Sequence, residues 1–270
     1  MPSSLSITSA LTQALTDKRI DILRQIGGTG SISQAAREVG VSYKAAWQAV
    51  DTLTNLAGTA LVARAVGGAG GGGARLTEAG RQLLAAADAM AQARGAVLSR
   101  WQATPHAGPA LARLAVRTSM RNQWPCVVQR LEAQGQIVRV HLAFEAEVRA
   151  EAGVPTTVLA ARITRESAEL LGLQPGLAVQ ALCKATAVRV ERVEGPRTAA
   201  STQGAEPASF RLPAKAVRVV RGESGDEVSA ALAVGVQMVG FAAPGSGLRA
   251  GSRVELWVDD NAVVLALAEI

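Results

Sequence analysis

Residues 172–190, GLQPGLAVQALCKATAVRV, align without a gap with residues 247–265, GLRAGSRVELWVDDNAVVL. Gly172 meets Gly247, Leu173 meets Leu248, Gly176 meets Gly251, Val179 meets Val254, and Ala187-Val188 meets Ala262-Val263. Upstream, WPCVVQR (124–130) resembles LPAKAVR (212–218). A repeat of this kind means one supersecondary unit built twice. The runs QIVRVHLAF, LAVQALCKATAVRV and SRVELWVDDNAVVLAL alternate in polarity as strands do. ERVEGPRTAASTQGAEPAS, between the copies, is polar and rich in turn formers. The C-terminal half is therefore expected to form tandem small β-barrels over 117–192 and 210–270, with 193–209 as linker. Each is too small to be robust alone.

The N-terminal half follows a helical period. Ile20, Leu23 and Ile26 recur at three-residue spacing and predict a helix closed by Gly27-Gly28. In SISQAAREVGVSYKAAWQAVDTLTNL, Ser33 is expected to cap a short helix carrying Ala35, Ala36 and Val39. Gly40 stops it, and Ser42 caps a second helix with Ala46, Val50 and Leu53 inward. The pattern fits a helix-turn-helix or an ordinary helical hairpin. TALVARAVGGAGGGGARLTEAG favours the first, because it reads as a hairpin with a glycine tip joined to a fresh helix, a winged arrangement. A phosphate-binding P-loop needs Gly-Lys-Ser/Thr after its glycines. Here Ala74-Arg75-Leu76 follows instead. Arg64 and Arg75 flank the tip, placed to reach phosphates.

RQLLAAADAMAQARGAVLSRW (81–101) predicts a long helix with a stripe of Leu83, Leu84, Ala87, Met90, Ala91, Val97, Leu98 and Trp101. The stripe serves either packing on its own domain or dimerisation. Pro105 and Pro109 then mark a linker, closing a first domain over 1–110. The fold class expected is multidomain α + β. Of the 270 residues 49% are hydrophobic but only 3% aromatic, which favours helices and small β-modules over one aromatic core. No apolar run approaches the roughly 18–20 residues that span a bilayer, and the N-terminus lacks the charge and apolar pattern of a signal peptide. Cys126, Cys183, His106 and His141 have no metal-site spacing. A reduced, cytoplasmic setting fits. The net charge of +6 suits an anionic partner without specifying one. No catalytic triad, paired carboxylates or cofactor motif argues for an enzyme.

Three segments together carry a resemblance: GSISQAAREVGVSYKAAW (30–47), the wing GGAGGGGARLT (67–77) and TSMRNQW (118–124). With the tandem repeats, the chain resembles the molybdate-responsive transcriptional regulators of the ModE family over nearly its full length. The barrels look like the family's di-Mop, or TOBE-type, OB-like modules. The resemblance implies a homodimer that binds molybdate through the C-terminal half and operator DNA through the winged half. It implies repression of molybdate-transport genes and, in some members, activation of molybdoenzyme genes. Tungstate, nearly identical in size and charge, is an expected substitute.

Molybdate is a tetrahedral dianion with acceptor oxygens only, so its site must supply donors and positive charge. Charge-assisted hydrogen bonds are roughly twice as strong as neutral ones. By resemblance, Ser119 and Arg121 of TSMRNQW, Lys184 of QALCK, and Thr164 and Ser167 of ITRESAELLGL are the ligands. Thr164 and Ser167 are expected just before a short helix, whose N-terminus would add free N–H groups. In the family this site lies between two chains. Lys184 aligns with Asp259 and Ala185 with Asp260, so the second repeat is expected to be structural, giving two anions per dimer. On the DNA side Ser42, Tyr43, Lys44, Trp47 and Gln48 open the second helix, the part that enters a major groove in such folds. Trp47 has a core-packing alternative. Ser31, Ser33 and Gln34 are assigned to phosphates. Two rival readings remain: an oxyanion-storage protein, and a winged regulator with an organic-acid effector.

Overall fold

Ile22, Leu23 and Ile26 are fully buried and set the inner face of α1 (Lys18–Thr29). Around it pack α2 (Ile32–Val39) and α3 (Tyr43–Ala57), burying Ile32, Ala35, Ala36, Ala45, Ala46, Ala49, Val50 and Leu53. The many alanines at helical spacing bring the backbones close. A computed structural model supplies these coordinates and describes residues 18–65, 73–101, 118–149, 159–193, 209–233 and 235–267. Ser42 caps α3 as expected, its hydroxyl accepting from the Ala45 amide at 3.2 Å. Gly40, at φ 72°, ends α2 in the left-handed region that only glycine enters cheaply.

Two local expectations need correction. The cap of α2 is Ser31, whose hydroxyl accepts from the Gln34 amide at 3.3 Å. Ser33 instead sits exposed within the first helical turn. Nor do Gly27 and Gly28 close α1, which runs on to Thr29. Gly27 serves packing: a Cβ there would meet Leu76 Cδ1 at 2.7 Å. Leu76 belongs to the wing, in which β1 (Val62–Ala65) pairs antiparallel with β2 (Gly73–Leu76). The glycine tip, 66–72, lies outside the described residues. α4 (Glu78–Trp101) follows directly. Its Leu83 and Leu84 pack beside Leu23, Leu53 and Leu61, whereas Met90 is exposed. The side chains of Val97, Leu98 and Trp101, also assigned to the stripe, lie outside the described set.

The β region comprises β3 (Asn122–Gln134), β4 (Ile137–Phe144), the short α5 (Glu145–Arg149), β5 (Leu159–Thr164), α6 (Arg165–Leu170), β6 (Ala178–Cys183), β7 (Val188–Arg192), β8 (Ser209–Val220), β9 (Asp226–Leu232), β10 (Gln237–Ala242), β11 (Arg253–Asp259) and β12 (Val263–Ala266). Two compact units emerge. The second holds Arg117–Thr164 and Gln174–Leu267; the segment Arg165–Leu173, with α6, groups with the N-terminal helices.

Within the second unit the repeat is reproduced hydrogen bond by hydrogen bond. Cys126 pairs with Val179 in one copy and Ala214 with Val254 in the other. Gly176 N donates to Val128 O, and Gly251 N to Ala216 O, each at 2.8 Å. Bulges fall between Val128 and Arg130 and between Ala216 and Arg218.

The two copies exchange their last strands. One sheet has the order β12-β6-β3-β4-β5, and the other is a closed barrel, β10-β7-β11-β8-β9. Each traded strand is reached through a one-turn 3₁₀ helix, Ala185–Ala187 or Asp260–Ala262. The segments 117–192 and 210–270 therefore do not form separate barrels, because each supplies the other's fifth strand. At the parallel closure Phe241 pairs with Arg189. Gly240 permits it: a Cβ there would stand 2.7 Å from the backbone oxygen of Val188.

His141 on β4 is buried. Nε2 comes 3.0 Å from Glu132 but makes no hydrogen bond. Burial, then Arg130 and Arg139, lowers its pKa from 6.5, with Asp260 opposing.

Two outcomes follow from this packing. Gly240→Ala should push β7 off β10 and cost about 1–3 kcal/mol in urea unfolding, as overpacking does. A histidine whose folded pKa is depressed lends stability above its unfolded pKa and loses it as pH falls toward the folded value. Between pH 7.5 and 5.5 the thermal midpoint of the native chain should therefore drop more than that of His141→Gln, as read by circular dichroism.

Candidate functional site

The register of β3 against β6 pairs Asn122 with Cys183. Arg121 and Lys184 are therefore neighbours just beyond the last rung, and both are exposed. The backbone beneath them is firmly held. The Asn122 side chain is buried, donating to Val239 O at 2.8 Å and accepting from Val239 N at 2.7 Å. Trp124 Nε1 donates to Gln237 O at 3.1 Å. Gln180 donates to Gln123 Oε1 at 2.8 Å, and Gln123 donates to Met120 O at 3.0 Å. Thr118 Oγ1 accepts from the Met120 amide at 2.8 Å, tightening the loop that carries exposed Ser119. Burial pushes the Cys183 thiol up to about 11, so no thiolate competes for the adjacent ammonium. Arg121 Nη1 donates to Glu227 Oε2 at 2.5 Å.

Arg121 and Lys184 are thus neighbours, with Ser119 two residues before Arg121; Thr164 lies elsewhere in the same unit, and Ser167 belongs to the other one. Thr164 ends β5 opposite Ile137, at the β3–β4 hairpin, while Arg121 precedes the other end of β3. Ser167 lies inside α6 rather than before it, and α6 has only 6 residues. In the second repeat, Asp259 stands at the position of Lys184, each preceding its 3₁₀ turn. Asp260 is buried and pairs with Arg139 at 3.2 Å.

On the first unit, Lys44 and Gln48 are exposed on α3, four residues and so about one turn apart. Tyr43 is exposed and meets Trp47 edge-on, with centroids 6.3 Å apart. Trp47 is half-buried and packs against the helical core, as its core-packing alternative expected, with its remaining surface open. Gln34 is engaged locally, accepting from Arg37 at 2.6 Å and donating to Glu38 at 3.0 Å. Arg75 is exposed on β2; Arg64 lies on β1 opposite Ala74, its side chain outside the described set. Two carboxylates of the segment grouped with this unit meet α3. Glu169 accepts from the Ser42 amide at 2.9 Å, and buried Glu166 lies 2.8 Å from Lys44 Nζ. Glu166, Glu169 and Glu227 escaped the sequence reading, since nothing local marks a partner a hundred residues away. Among the described residues no three metal-binding side chains cluster, and no described helix is long and apolar enough to cross a membrane.

Comparison with known proteins fits this division. Residues 18–81 match the bacterial regulatory helix-turn-helix protein model of the lysR family, and residues 118–190 match the TOBE domain. The chain is 33% identical to the DNA-binding transcriptional dual regulator ModE of Escherichia coli, over 98% of this chain and 99% of that one. It belongs to the ModE family. A second relative is the molybdenum-pterin-binding protein MopB of Rhodobacter capsulatus, 42% identical over 63% of this chain and 61% of MopB. A molybdate-bound crystal structure of the cytoplasmic molybdate-binding protein ModG matches 56% of this chain and 99% of that one, at 22% identity and TM-score 0.47. The E. coli ModE match runs through the winged half and both repeats.

The structure gives this ModE-family chain an expected thermal response at α3. Ser42→Ala removes an N-cap, which is worth about 1 kcal/mol. It should lower the thermal midpoint of the helical unit, seen as loss of far-ultraviolet helical signal.

Proposed function

We propose that this chain is a molybdate-sensing, DNA-binding transcriptional regulator that works in the cytoplasm as a homodimer. One observation carries the reading. A winged helix-turn-helix with exposed Lys44 and Gln48 shares a chain with a β-module that sets Arg121 beside Lys184 at the end of one ladder. A storage protein has no use for the first element. The second offers donors and cationic charge to an oxyanion, with no base or nucleophile beside them.

Ser119, Arg121 and Lys184 form one half of the molybdate site, and Thr164 and Ser167 form the other. In the family this site lies between two chains, and the distance of Thr164 along the strands from Arg121 supports the same arrangement here. Anion binding is then coupled to dimer geometry. The apolar stripe of α4 serves the same dimer. Loaded with molybdate, the dimer binds its operator and represses molybdate-transport genes, with activation of molybdoenzyme genes as a further output. Tungstate substitutes for molybdate. The deciding experiment is a mobility-shift assay on the chain's own upstream region with and without molybdate. No dependence on the anion would end this reading.

Arg121→Ala and Lys184→Ala should each cost roughly 1.5–3 kcal/mol of molybdate affinity in calorimetry, the worth of a hydrogen bond to a charged group. Sulfate should bind far more weakly to the native chain. The titration should reach two anions per dimer, since Asp259 repels a dianion at the second repeat. Four tight anions would contradict that division.

Gln48→Ala should weaken operator binding by roughly 1–3 kcal/mol relative to other sequences, while molybdate binding stays intact. Gln48 is a cleaner test than Lys44, which also pairs with Glu166. Arg64→Ala and Arg75→Ala should instead weaken binding to all DNA and flatten its salt dependence, as lost phosphate contacts do.

A further inference from the structure

Glu227 lies on β9, in the second repeat, and its carboxylate holds Arg121 of the first repeat at 2.5 Å. The pair is partly open to solvent: the arginine side chain is 52% exposed and the glutamate 26%. Such a contact has two physical uses. A carboxylate either positions a guanidinium for another ligand or occupies it in that ligand's place.

The neighbouring hydrogen bonds decide between them. The start of β3 is already fixed to β10 by both Asn122 amide contacts to Val239 and by the Trp124 contact to Gln237. The backbone that sets Arg121 beside Lys184 is therefore held without Glu227. Charge argues the same way. A tetrahedral dianion shared between Arg121 and Lys184 would leave three negative charges facing two positive ones if Glu227 stayed. Like charges at hydrogen-bonding range are unfavourable even where solvent screens them.

We propose that Glu227 is a built-in competitor: its carboxylate occupies Arg121 in the anion-free chain and must be displaced when the oxyanion binds. The inference rests on the reading of Arg121 as an oxyanion ligand. It gives the second repeat a task that its lack of a lysine had left open. That repeat binds no anion but sets the concentration at which the first one fills. Monoanions with few acceptor oxygens gain too little to displace a carboxylate, so the exchange also screens out weak ligands. Displacement would release the Arg121–Glu227 contact between β9 and the β3 start, so filling of the site is felt in the second repeat.

The test is calorimetric titration of the full-length protein with sodium molybdate. Glu227→Gln keeps the shape and removes the charge. It should tighten binding roughly ten-fold, a change in Kd equivalent to about 1.4 kcal/mol. Glu227→Ala should act in the same direction and guards against a fault of folding in the first variant. In an Arg121→Ala background the gain from Glu227→Gln should shrink, because the cycle isolates the pair. Unchanged or weakened binding in both Glu227 variants, with the native chain binding normally, would overturn the proposal alone and make Glu227 a positioning residue. A folded native chain that takes up no molybdate would overturn the assignment of Arg121 and this proposal with it.

Discussion

The exchange of β7 and β12 is the constraint on which the β region depends. A five-stranded barrel of this size buries too little apolar surface to be secure alone. Trading one strand makes each barrel's core contingent on the other. Val188 and Val190 are buried in the barrel of the second repeat, and Val263 and Leu265 in the sheet of the first. Every consequence for the site passes through this trade. The 3₁₀ turn that launches β7 begins directly after Lys184. The one that launches β12 delivers Asp260 to Arg139 of the first repeat. A repeat duplicated in sequence has thus become asymmetric in use, with one turn preceded by an ammonium and the other buried as an ion pair.

Around Arg121 and Lys184, rigidity and charge are supplied by different residues. Asn122, Gln123 and Trp124 hydrogen-bond backbone, and Gln180 donates to Gln123. The cationic side chains remain at the surface, where exchange of partners is cheap. Buried polar groups cost free energy unless hydrogen-bonded. This explains why the buried amide of Asn122 is hydrogen-bonded through both its oxygen and its nitrogen while its neighbour Arg121 stays at the surface. The same separation holds at α3. Alanines and the Ser42 cap fix the helix, Trp47 packs against the core, and Lys44 and Gln48 face outward. Carboxylates meet the start of α3 where a helix N-terminus favours negative charge. Glu166 and Glu169 occupy the same kind of surface that suits a phosphate.

Much of the fold was legible because local rules act over a few residues. The period of Leu23 and Ile26, the caps at Gly40 and Ser42, the hairpin before Leu76, and the gapless repeat around Val179 and Val254 all depend on near neighbours. Where the reading slipped, a competing local option won. Ser31 and Ser33 are both of a residue type that caps, and the helix starts at Ile32, so Ser31 takes the cap. Gly27 looked like a stop but is a contact surface for Leu76. Of the candidate ligands, Arg121 and Lys184 meet because β3 pairs with β6 in the register that sets Asn122 opposite Cys183, and Ser119 lies two residues before Arg121. Thr164 and Ser167 were placed by resemblance; Thr164 ends β5 opposite Ile137, and Ser167 lies in the segment of the other unit.

The sequence by itself determined the elements, their order, the duplication and the chemical character of each half, since these follow from period, caps and composition. Tertiary structure alone decided that the copies trade strands. A strand at 188–192 satisfies its alternation equally well beside β6 or beside β11, and only the closure of two cores at once selects the partner. It alone decided that Glu227 faces Arg121 and that Asn122 grips Val239. Those pairings join residues 106 and 117 positions apart. A carboxylate carries no mark, in one dimension, of the charge it will meet in three.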